Sequence, residues 1–330
     1  VIVMGHGENF DREEKYNEML AICSHELFHT WNVKTLRPVE MMPYDFTKEN
    51  YTQLGYVDEG VTTYYGDLCL RRSGIWNNDL WILSLEKWLN THHRNYGRYS
   101  YSVADSSVDT WLDGYTPGVP WRKVSIYNEG ALLSMILDIE LIAATNGEKS
   151  MDDVMHQMYQ LFAKKNIGYS VEDYWKTLVD SGLSNANEFK TNIAESAIDY
   201  SSYLKKAFDK IGVELIWSPS AIATERLFGF SVDLQMGKSK VTSVCMNSAA
   251  DMGGLWYGDE ILEVDGITVD KNVNFLIEAT TTTQLLILRN GVQMELTLHS
   301  KPELPIIQQS HISFPENNSL FNYWIGKRNA

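Results

Sequence analysis

The stretch His25-Glu26-Leu27-Phe28-His29 decides how the first two thirds of this 330-residue chain are interpreted. Residues four apart lie on one face of an α-helix, so both histidines can direct a ring nitrogen at one metal ion. Two imidazoles and a neighbouring carboxylate at this spacing are typical of a zinc site that carries its own base. The motif therefore predicts a helix with a zinc ion at His25 and His29.

Glu26 is predicted to be the general base of that site. A carboxylate beside the open coordination position can take a proton from a zinc-bound water and pass it to the leaving amine of a peptide. The helix expected around the motif begins near Asp11, has Glu13 and Glu14 in its first turn, and shows apolar residues at helical spacing up to Trp31. The motif therefore lies inside a long helix.

A catalytic zinc needs a third protein ligand, and a second helix downstream offers one. Residues 57–68 are predicted to form a helix that Glu59 opens, and a carboxylate is favoured at the positive end of a helix dipole. Residues 30–58 separate Glu59 from His29. Glu59 is therefore predicted to be the third ligand, with the fourth position vacant. The alternative is a capped surface helix with a solvated Glu59.

Three ordered motifs give the chain a resemblance to a known family. They are His25-Glu26-Leu27-Phe28-His29-Thr30-Trp31-Asn32-Val33-Lys34, then Asp58-Glu59-Gly60 with Thr63-Tyr64-Tyr65, then Ser125-Ile126-Tyr127-Asn128-Glu129-Gly130. Together they resemble the glycyl aminopeptidase family of gluzincin metallopeptidases. The resemblance covers nearly the whole chain, and it implies a thermolysin-like catalytic domain followed by a PDZ domain.

The resemblance also implies a cofactor, a substrate and residue roles. One Zn²⁺ per chain would be held by His25, His29 and Glu59, and Glu26 would be the base. Tyr127 would donate a hydrogen bond to the oxyanion of the transition state, an interaction of about 3 kcal/mol. The implied substrate is a peptide that loses a small amino-terminal residue such as Gly or Ala. An endopeptidase stays open as an alternative.

The chain departs from the family pattern at two places. Glu129 stands where the family usually has lysine, which reverses the charge near Tyr127 if both side chains face the cleft. Related enzymes also carry a β-rich amino-terminal domain with a strand that grips the amino end of the substrate. The opening run Val1-Ile2-Val3-Met4 is predicted to be one strand of a sheet. The chain is therefore expected to be a carboxy-terminal fragment of a larger enzyme.

The sequence pattern changes after residues 218–220, where short strands replace helices. Strands are predicted at residues 227–234, 241–246, 260–264, 285–288 and 293–298, and Asn290-Gly291 predicts a hairpin turn between the last two. The run Gly258-Asp259-Glu260-Ile261-Leu262 resembles a PDZ domain. That resemblance implies a groove at Leu227-Phe228-Gly229-Phe230, with Arg226 as the partner of a peptide carboxyl terminus. The alternative is a structural lobe whose groove is filled by its own chain.

The expected architecture is therefore an α+β multidomain protein. A mainly helical catalytic domain is predicted over residues 1–218, a small β-rich PDZ domain over residues 221–300, and a tail over residues 301–330 that docks on the catalytic domain as a short helix. Residues 96–120, rich in Tyr, Ser, Asp, Gly and Pro, are predicted to form a long loop. A second functional hypothesis is a peptide-binding scaffold that acts through its PDZ domain and has an incomplete zinc cleft.

Composition narrows the possible partners. A net charge of -15 argues against nucleic-acid binding, and it favours cationic peptides modestly. No apolar run approaches the roughly 20 residues that a membrane helix requires. The three cysteines stand at no metal-ligand spacing, and the histidines outside the motif, His92 among them, are expected to be structural or solvated. The compartment stays open between cytoplasmic and periplasmic or secreted.

Overall fold

The computed structural model describes residues 11–113, 122–269, 273–277 and 281–326. It shows an α+β protein with two compact units, which confirms the predicted multidomain α+β architecture. The larger unit holds the described residues of Val1–His92, Gly97–Leu215 and Ile312–Ala330. The smaller unit holds those of His93–Tyr96 and Ile216–His311.

The described helices are mostly short and lie mainly in the larger unit. In chain order they are α1 (Glu13–Phe28), α2 (Thr62–Arg72), α3 (Asn78–Arg94), α4 (Val103–Val108), α5 (Thr110–Asp113), α6 (Ile126–Ala144), α7 (Met151–Leu161), α8 (Val171–Asp180), α9 (Ala186–Phe189), α10 (Ser201–Lys210), α11 (Ala249–Met252), α12 (Val273–Ile277) and α13 (Ser319–Trp324). A π-helical segment, Tyr56–Val61, leads directly into α2. No helix in the described ranges has the length and apolar character needed to cross a membrane.

Helix α6 forms the centre of the larger unit. Nearly every residue from Ile126 to Ile142 is buried, and a helix that is buried on all sides must be covered by several neighbours. Those neighbours are α2, α10, α13 and the π-helical segment. The core of this unit therefore surrounds α6, and the elements that pack against it are fixed relative to one another.

A glycine on each side permits the closest of these contacts. A Cβ atom on Gly60, in the π-helical segment, would lie 2.3 Å from the Cα atom of Gly130 in α6. A Cβ atom on Gly130 would lie 2.6 Å from the carbonyl oxygen of Tyr56. Real Cβ atoms do not approach backbone so closely, so the two backbones touch only because both residues are glycine.

Hydrogen bonds join helix α13 to helix α2. The indole Nε1 of Trp324 donates a hydrogen bond of 2.7 Å to the Tyr64 hydroxyl, and the Arg72 guanidinium donates to the Trp324 carbonyl through Nε and Nη2 at 3.1 and 2.9 Å. Arg72 also donates to both oxygens of Asp152, at 2.9 and 3.0 Å. Trp324 is fully buried, which contributes about 2–3 kcal/mol. The carboxy-terminal helix thus packs on the larger unit.

The long loop predicted over residues 96–120 is wrong for residues 96–113, where the structure has short helices. A 3-10 helix spans Tyr96–Tyr99, helices α4 and α5 lie within residues 103–113, and residues 114–120 lie outside the described residues. Ser102 begins α4 because its hydroxyl accepts a hydrogen bond of 3.0 Å from the Asp105 backbone N–H. Ser-x-x-Asp is a helix-start pattern, so this local signal outweighed the loop-like composition.

The described strands form two sheets. The larger sheet has the order β2 (Phe230–Gln235), β3 (Lys238–Val244), β4 (Glu260–Val264), β6 (Thr282–Arg289) and β7 (Val292–His299). In the same sheet, β5 (Ile267–Thr268) pairs with β4. The second sheet pairs β1 (Glu214–Pro219) with β8 (Gln308–Ser313). Asn290 and Gly291 have φ values of 50° and 83° between paired Arg289 and Val292, a two-residue hairpin turn as predicted.

The strand predicted at residues 227–234 is wrong at its start. Thr224–Phe228 forms a π-helical turn, and Gly229 ends it with a φ of 79° before β2 begins at Phe230. Phe228 is fully buried in the core of the smaller unit, so its apolar side chain is explained by the turn as well as by a strand. An apolar run of this length does not distinguish the two.

The glycine contact predicts a graded effect of added methyl groups. Gly60→Ala should lower the free energy of unfolding by about 1–3 kcal/mol, because backbone must move to admit the Cβ atom. Gly66→Ala in α2 is the matched control, since its Cβ atom would stand 3.2 Å from the nearest atoms, a gap that small shifts relieve. Urea denaturation of both variants checks this. Equal losses of stability would contradict the role of the Gly60 contact.

Candidate metal centre

The π-helical segment carries Glu59 to the end of α1. The sequence predicts that Glu59 opens a regular helix, but the helical turn begins earlier, at Tyr56, and it is π-helical through Val61. An extra residue in one turn changes the direction of the side chains that it carries, and such insertions recur at functional sites. Here the inserted turn points the Glu59 carboxylate at the two histidines of α1.

Three side chains converge on one point. The Oε2 atom of Glu59 lies 3.3 Å from His25 Nε2 and 3.2 Å from His29 Nε2. The two imidazole rings stand at 89° to each other with centroids 4.6 Å apart. Within the described ranges, these residues form the one group of three or more His, Cys, Asp or Glu side chains close enough to share a metal ion. The structure thus brings together the three ligands expected from the sequence.

The donor atoms fit a zinc ion. Bonds of 2.0–2.1 Å in a tetrahedral zinc site place neighbouring ligand atoms roughly 3.3–3.4 Å apart. The distances of 3.2 and 3.3 Å match that spacing. Glu59 Oε2 is also buried, and no atom in the described part of the chain stands in hydrogen-bond geometry to it. This oxygen and the two imidazole nitrogens therefore surround a shared centre.

Hydrogen bonds at the far side of each ring prepare the nitrogens for a metal. His29 Nδ1 lies 2.9 Å from the Asn32 carbonyl oxygen, and because a carbonyl only accepts, Nδ1 carries the proton. His25 Nδ1 lies 3.3 Å from the Thr63 hydroxyl, which can accept in the same way. In neutral imidazoles with these tautomers both Nε2 atoms are unprotonated, and such outer partners raise the basicity of a ligand.

The charges of the site favour the ligating form of Glu59. Burial would raise the pKa of this carboxyl group, but the two imidazoles lower the pKa of Glu59 to about 2. Burial disfavours the charged form of His29, yet the adjacent Glu59 carboxylate raises the pKa of this imidazole above its ordinary value. Glu59 is therefore an anion throughout the neutral range, which is the form that binds a cation.

Asn32 locks the π-helical segment to the end of α1. Its buried Nδ2 donates to the carbonyl oxygens of Val57 and Asp58 at 2.9 and 3.1 Å, and it lies 3.1 Å from the Thr62 hydroxyl. The backbone carbonyl oxygen of Asn32 at the same time accepts a hydrogen bond from His29 Nδ1. One residue thus fixes the orientation of a ligand and the position of the helix that bears Glu59. The sequence places it in a motif but predicts no role for it.

Helix α2 also lies directly against α1. The Ser24 hydroxyl donates a hydrogen bond of 2.7 Å to the Gly66 carbonyl, and the ring of Phe28 stacks on Tyr65 at 4.6 Å. A Cβ atom on Gly66 would stand 3.2 Å from the Cα atom of His25. This close approach keeps both histidines within reach of Glu59.

The three ligands stand in a cleft of about 410 Å³. Its lining residues are Ala21, Ile22, His25, Glu26, His29, Glu59, Thr63, Asp67 and Tyr127. Glu26 is exposed to the cleft, beside the ligands. Tyr127 enters from the first turn of α6, with its ring centroid 6.1 Å from that of His25. The cleft therefore contains both residues that the sequence analysis chose for catalysis.

Glu129 points away from the cleft. It is 2% exposed, and its Oε2 atom lies 2.6 Å from His92 Nδ1, which is also buried. The Tyr200 backbone N–H donates to His92 Nε2 at 3.0 Å, so Nδ1 carries the proton that Glu129 accepts. The expected charge reversal beside Tyr127 is thus absent from the lining of the cleft, because Glu129 is satisfied inside the larger unit. His92 has the structural role expected for it.

The residues proposed for a PDZ groove lie in or just before β2, at one edge of the larger sheet. Phe230 begins β2, which stands at the end of the described strand order. Leu227 and Phe228 belong to the preceding π-helical turn. The Arg226 guanidinium donates to the carbonyl oxygens of Ser220 and Ala221, at 3.0 and 2.7 Å. Its described contacts are therefore with its own chain.

This chain and its fold are similar to known peptidases. Residues 18–133 match the model of the M61 glycyl aminopeptidase family. The structure of an aminopeptidase N family protein from Idiomarina loihiensis is similar over 98% of this chain, with 25% identity and a TM-score of 0.82, and the chain spans 57% of that protein. An HtrA-type protease with a decapeptide overlaps 33% of this chain and 35% of its own, at 19% identity and a TM-score of 0.21. No curated protein matches significantly.

The matches define an aminopeptidase-like fold, and the family model that fits residues 18–133 is that of a peptidase. Residues 18–133 match the glycyl aminopeptidase family, so the resemblance found in the sequence is confirmed.

The position of Asn32 predicts that its amide matters for metal affinity. Asn32→Asp keeps the size of the side chain but removes the donors to Val57 and Asp58, so zinc affinity should fall about 10–100-fold, as it does when outer partners of a metal ligand are lost. Asn187→Asp, an exposed change of the same charge, is the control. Competition with a chromogenic chelator measures both. Unchanged affinity in Asn32→Asp would contradict the role of this amide.

Proposed function

We propose that the larger unit is the catalytic domain of a zinc-dependent peptidase, and that it removes small amino-terminal residues such as Gly or Ala from peptides. The convergence of His25, His29 and Glu59 at tetrahedral zinc spacing carries the proposal. The family supports the aminopeptidase reaction and the preference for a small residue. Zinc, when bound there, supplies Lewis acidity that polarises a peptide carbonyl and acidifies water.

Glu26 is the proposed base. Its side chain lines the cleft beside the ligands, where it can accept a proton from the attacking water and deliver it to the nitrogen of the leaving amine. The same carboxyl group is then regenerated, so the reaction consumes one water and breaks one C–N bond. As residue i+1 of the motif it lies beside the face that His25 and His29 share, which leaves its oxygens free for this role.

Tyr127 is the proposed donor to the oxyanion. Its ring lies across the cleft near His25, and it projects from the first turn of α6, the most firmly packed helix of the unit. A phenol held by a rigid helix can meet the charge that develops on the carbonyl oxygen without first reorganising. The burial of Glu129 supports this role, since that carboxylate does not oppose the developing charge from within the cleft.

The smaller unit is proposed to be a PDZ domain. Strand β2 at the end of the sheet order supports a second candidate function, the binding of a peptide as an added strand. Leu227-Phe228-Gly229-Phe230 and Arg226 are the proposed contacts. Since Arg226 already donates to two carbonyls of its own chain, a peptide carboxylate would have to compete for its guanidinium.

Paired substitutions test the zinc peptidase. Protein prepared with zinc should bind about one equivalent, and His25→Ala should lose it, because two ligands alone hold zinc weakly. Glu26→Gln should keep the zinc but lose at least about 10²-fold in kcat, since an amide cannot accept the proton. Elemental analysis and peptide hydrolysis measure these effects. Zinc bound equally by His25→Ala, or normal turnover in zinc-loaded Glu26→Gln, would refute the assignment.

Replacing Tyr127 separates transition-state stabilisation from substrate binding. Tyr127→Phe removes only the hydroxyl, and it should lower kcat by about 10²-fold with little change in KM. Tyr44→Phe, which lies outside the lining of the cleft, is the control for the loss of a phenol. Steady-state kinetics on a short peptide measures both parameters. A change confined to KM would make Tyr127 a substrate contact instead.

A further inference from the structure

Asp67 is a carboxylate in the cleft that the proposed reaction does not use. It lies in α2, eight residues after Glu59, and it lines the same cleft as the ligands. The Asp67 residue is 8% exposed. A buried charged group of this kind requires a partner, because its removal from water costs several kcal/mol.

The position of Asp67 is fixed close to the first ligand. Its neighbour Gly66 stands where α2 touches α1, with a Cβ position 3.2 Å from the Cα and N atoms of His25. Ala21 and Ile22, one turn before His25 on α1, line the cleft with it. Asp67 therefore belongs to an extension of the cleft beyond His25, with an apolar wall from α1 and an acidic wall from α2.

No described hydrogen bond or ion pair joins Asp67 to a lysine or arginine. Ser84 of α3 donates its hydroxyl to Oδ2 of Asp67. Among the described residues that line the cleft, none is Lys or Arg. Burial raises the pKa of Asp67 to about 6, and the hydrogen bond from Ser84 and the charges of Lys87 and His25 only partly oppose that effect. A hydroxyl does not neutralise a carboxylate. A cationic group that enters the cleft would therefore form an ion pair with Asp67.

We propose that Asp67 binds a cationic nitrogen of the peptide substrate and thereby determines specificity in this extension of the cleft. The site takes an ammonium or guanidinium group, which comes either from the amino terminus or from a lysine or arginine side chain. The partner is cationic because the extension offers a hydrogen-bond acceptor with negative charge, and no lysine or arginine among the described residues lines the cleft. The inference rests on the proposed function, since it assumes that peptides enter this cleft.

A binding experiment isolates the charge. Zinc-loaded Glu26→Gln, which should hold peptide without cleaving it, is titrated calorimetrically with three peptides of one length. The first is acetylated and carries norleucine, the second is acetylated and carries lysine at the same position, and the third carries norleucine with a free amino terminus. One charged peptide should bind at least about tenfold more tightly than the first, as expected for a hydrogen bond to a charged group. The tighter of the two identifies the source of the cation.

Two further substitutions in the same background assign the preference to Asp67. Asp67→Asn keeps the shape and should bring the ratio of affinities for charged and neutral peptides close to one. Ser84→Ala removes the hydroxyl but leaves the carboxylate, and it should keep the ratio high. A carboxylate with only a structural role would change the affinities for all three peptides together. A ratio near one before mutation, or a ratio that Asp67→Asn leaves intact, would overturn the inference.

The outcomes also separate this inference from the proposed function. Zinc binding and hydrolysis of the peptide with a free amino terminus by the unmutated protein, with no preference for charge in the binding experiment, would overturn the inference alone. Absence of zinc and of hydrolysis would overturn the proposed function. Absence of peptide binding in Glu26→Gln would overturn the inference, because it assumes that this cleft receives peptide. Zinc analysis of Asp67→Asn should give the same stoichiometry as its parent, since Asp67 is not a ligand.

Discussion

The contact between Gly60 and Gly130 is the constraint on which the site depends. Glu59 precedes Gly60 in the π-helical segment, and its oxygen must stand 3.2–3.3 Å from two imidazole nitrogens of another helix. Positioning of that accuracy needs a backbone that cannot slide. The segment is held because its backbone meets that of α6 at distances that no Cβ atom would permit. Asn32 holds the other side of the same segment, so Glu59 is fixed from two directions.

The cleft of this chain, whose net charge is -15, also holds several carboxylates. Glu59, Glu26 and Asp67 line one space, and among the described lining residues no lysine or arginine opposes them. Three carboxylates in a confined cleft repel one another unless cations intervene. A divalent ion at Glu59 and a cationic substrate group at Asp67 would relieve that repulsion and leave Glu26 available for proton transfer.

How much the sequence could predict depends on the range of the interactions involved. His25, Glu26 and His29 follow from helical spacing alone, and the hairpin at Asn290-Gly291 follows from a local turn preference. The assignment of Glu59 needed a second motif, and the family resemblance supplied the tyrosine. These features are local or motif-bound, and the described structure brings the four residues of the proposed zinc site and Tyr127 around one cleft.

The remaining features depend on contacts between distant residues. The π-helical turn at Glu59, the bonds of Asn32 to Val57 and the pairing of Glu129 with His92 join segments that no spacing rule connects. The loop predicted over residues 96–120 is wrong for a different reason. The composition of this segment is typical of a loop, but the local Ser102 cap begins a helix there. Asp67 was missed although it lies eight residues after Glu59, a spacing that keeps nearly the same helix face.

The central claim is that His25, His29 and Glu59 together hold one zinc ion. X-ray absorption spectroscopy at the zinc edge tests it most directly, because it reports the atoms bonded to the metal and needs no substrate. The account predicts nitrogen and oxygen neighbours at about 2.0–2.1 Å, with imidazole scattering from two rings and no sulfur at about 2.3 Å. Imidazole scattering from two rings should remain in Glu26→Gln and be reduced in His29→Ala. A sulfur neighbour, or a zinc environment that His29→Ala leaves unchanged, would contradict the account.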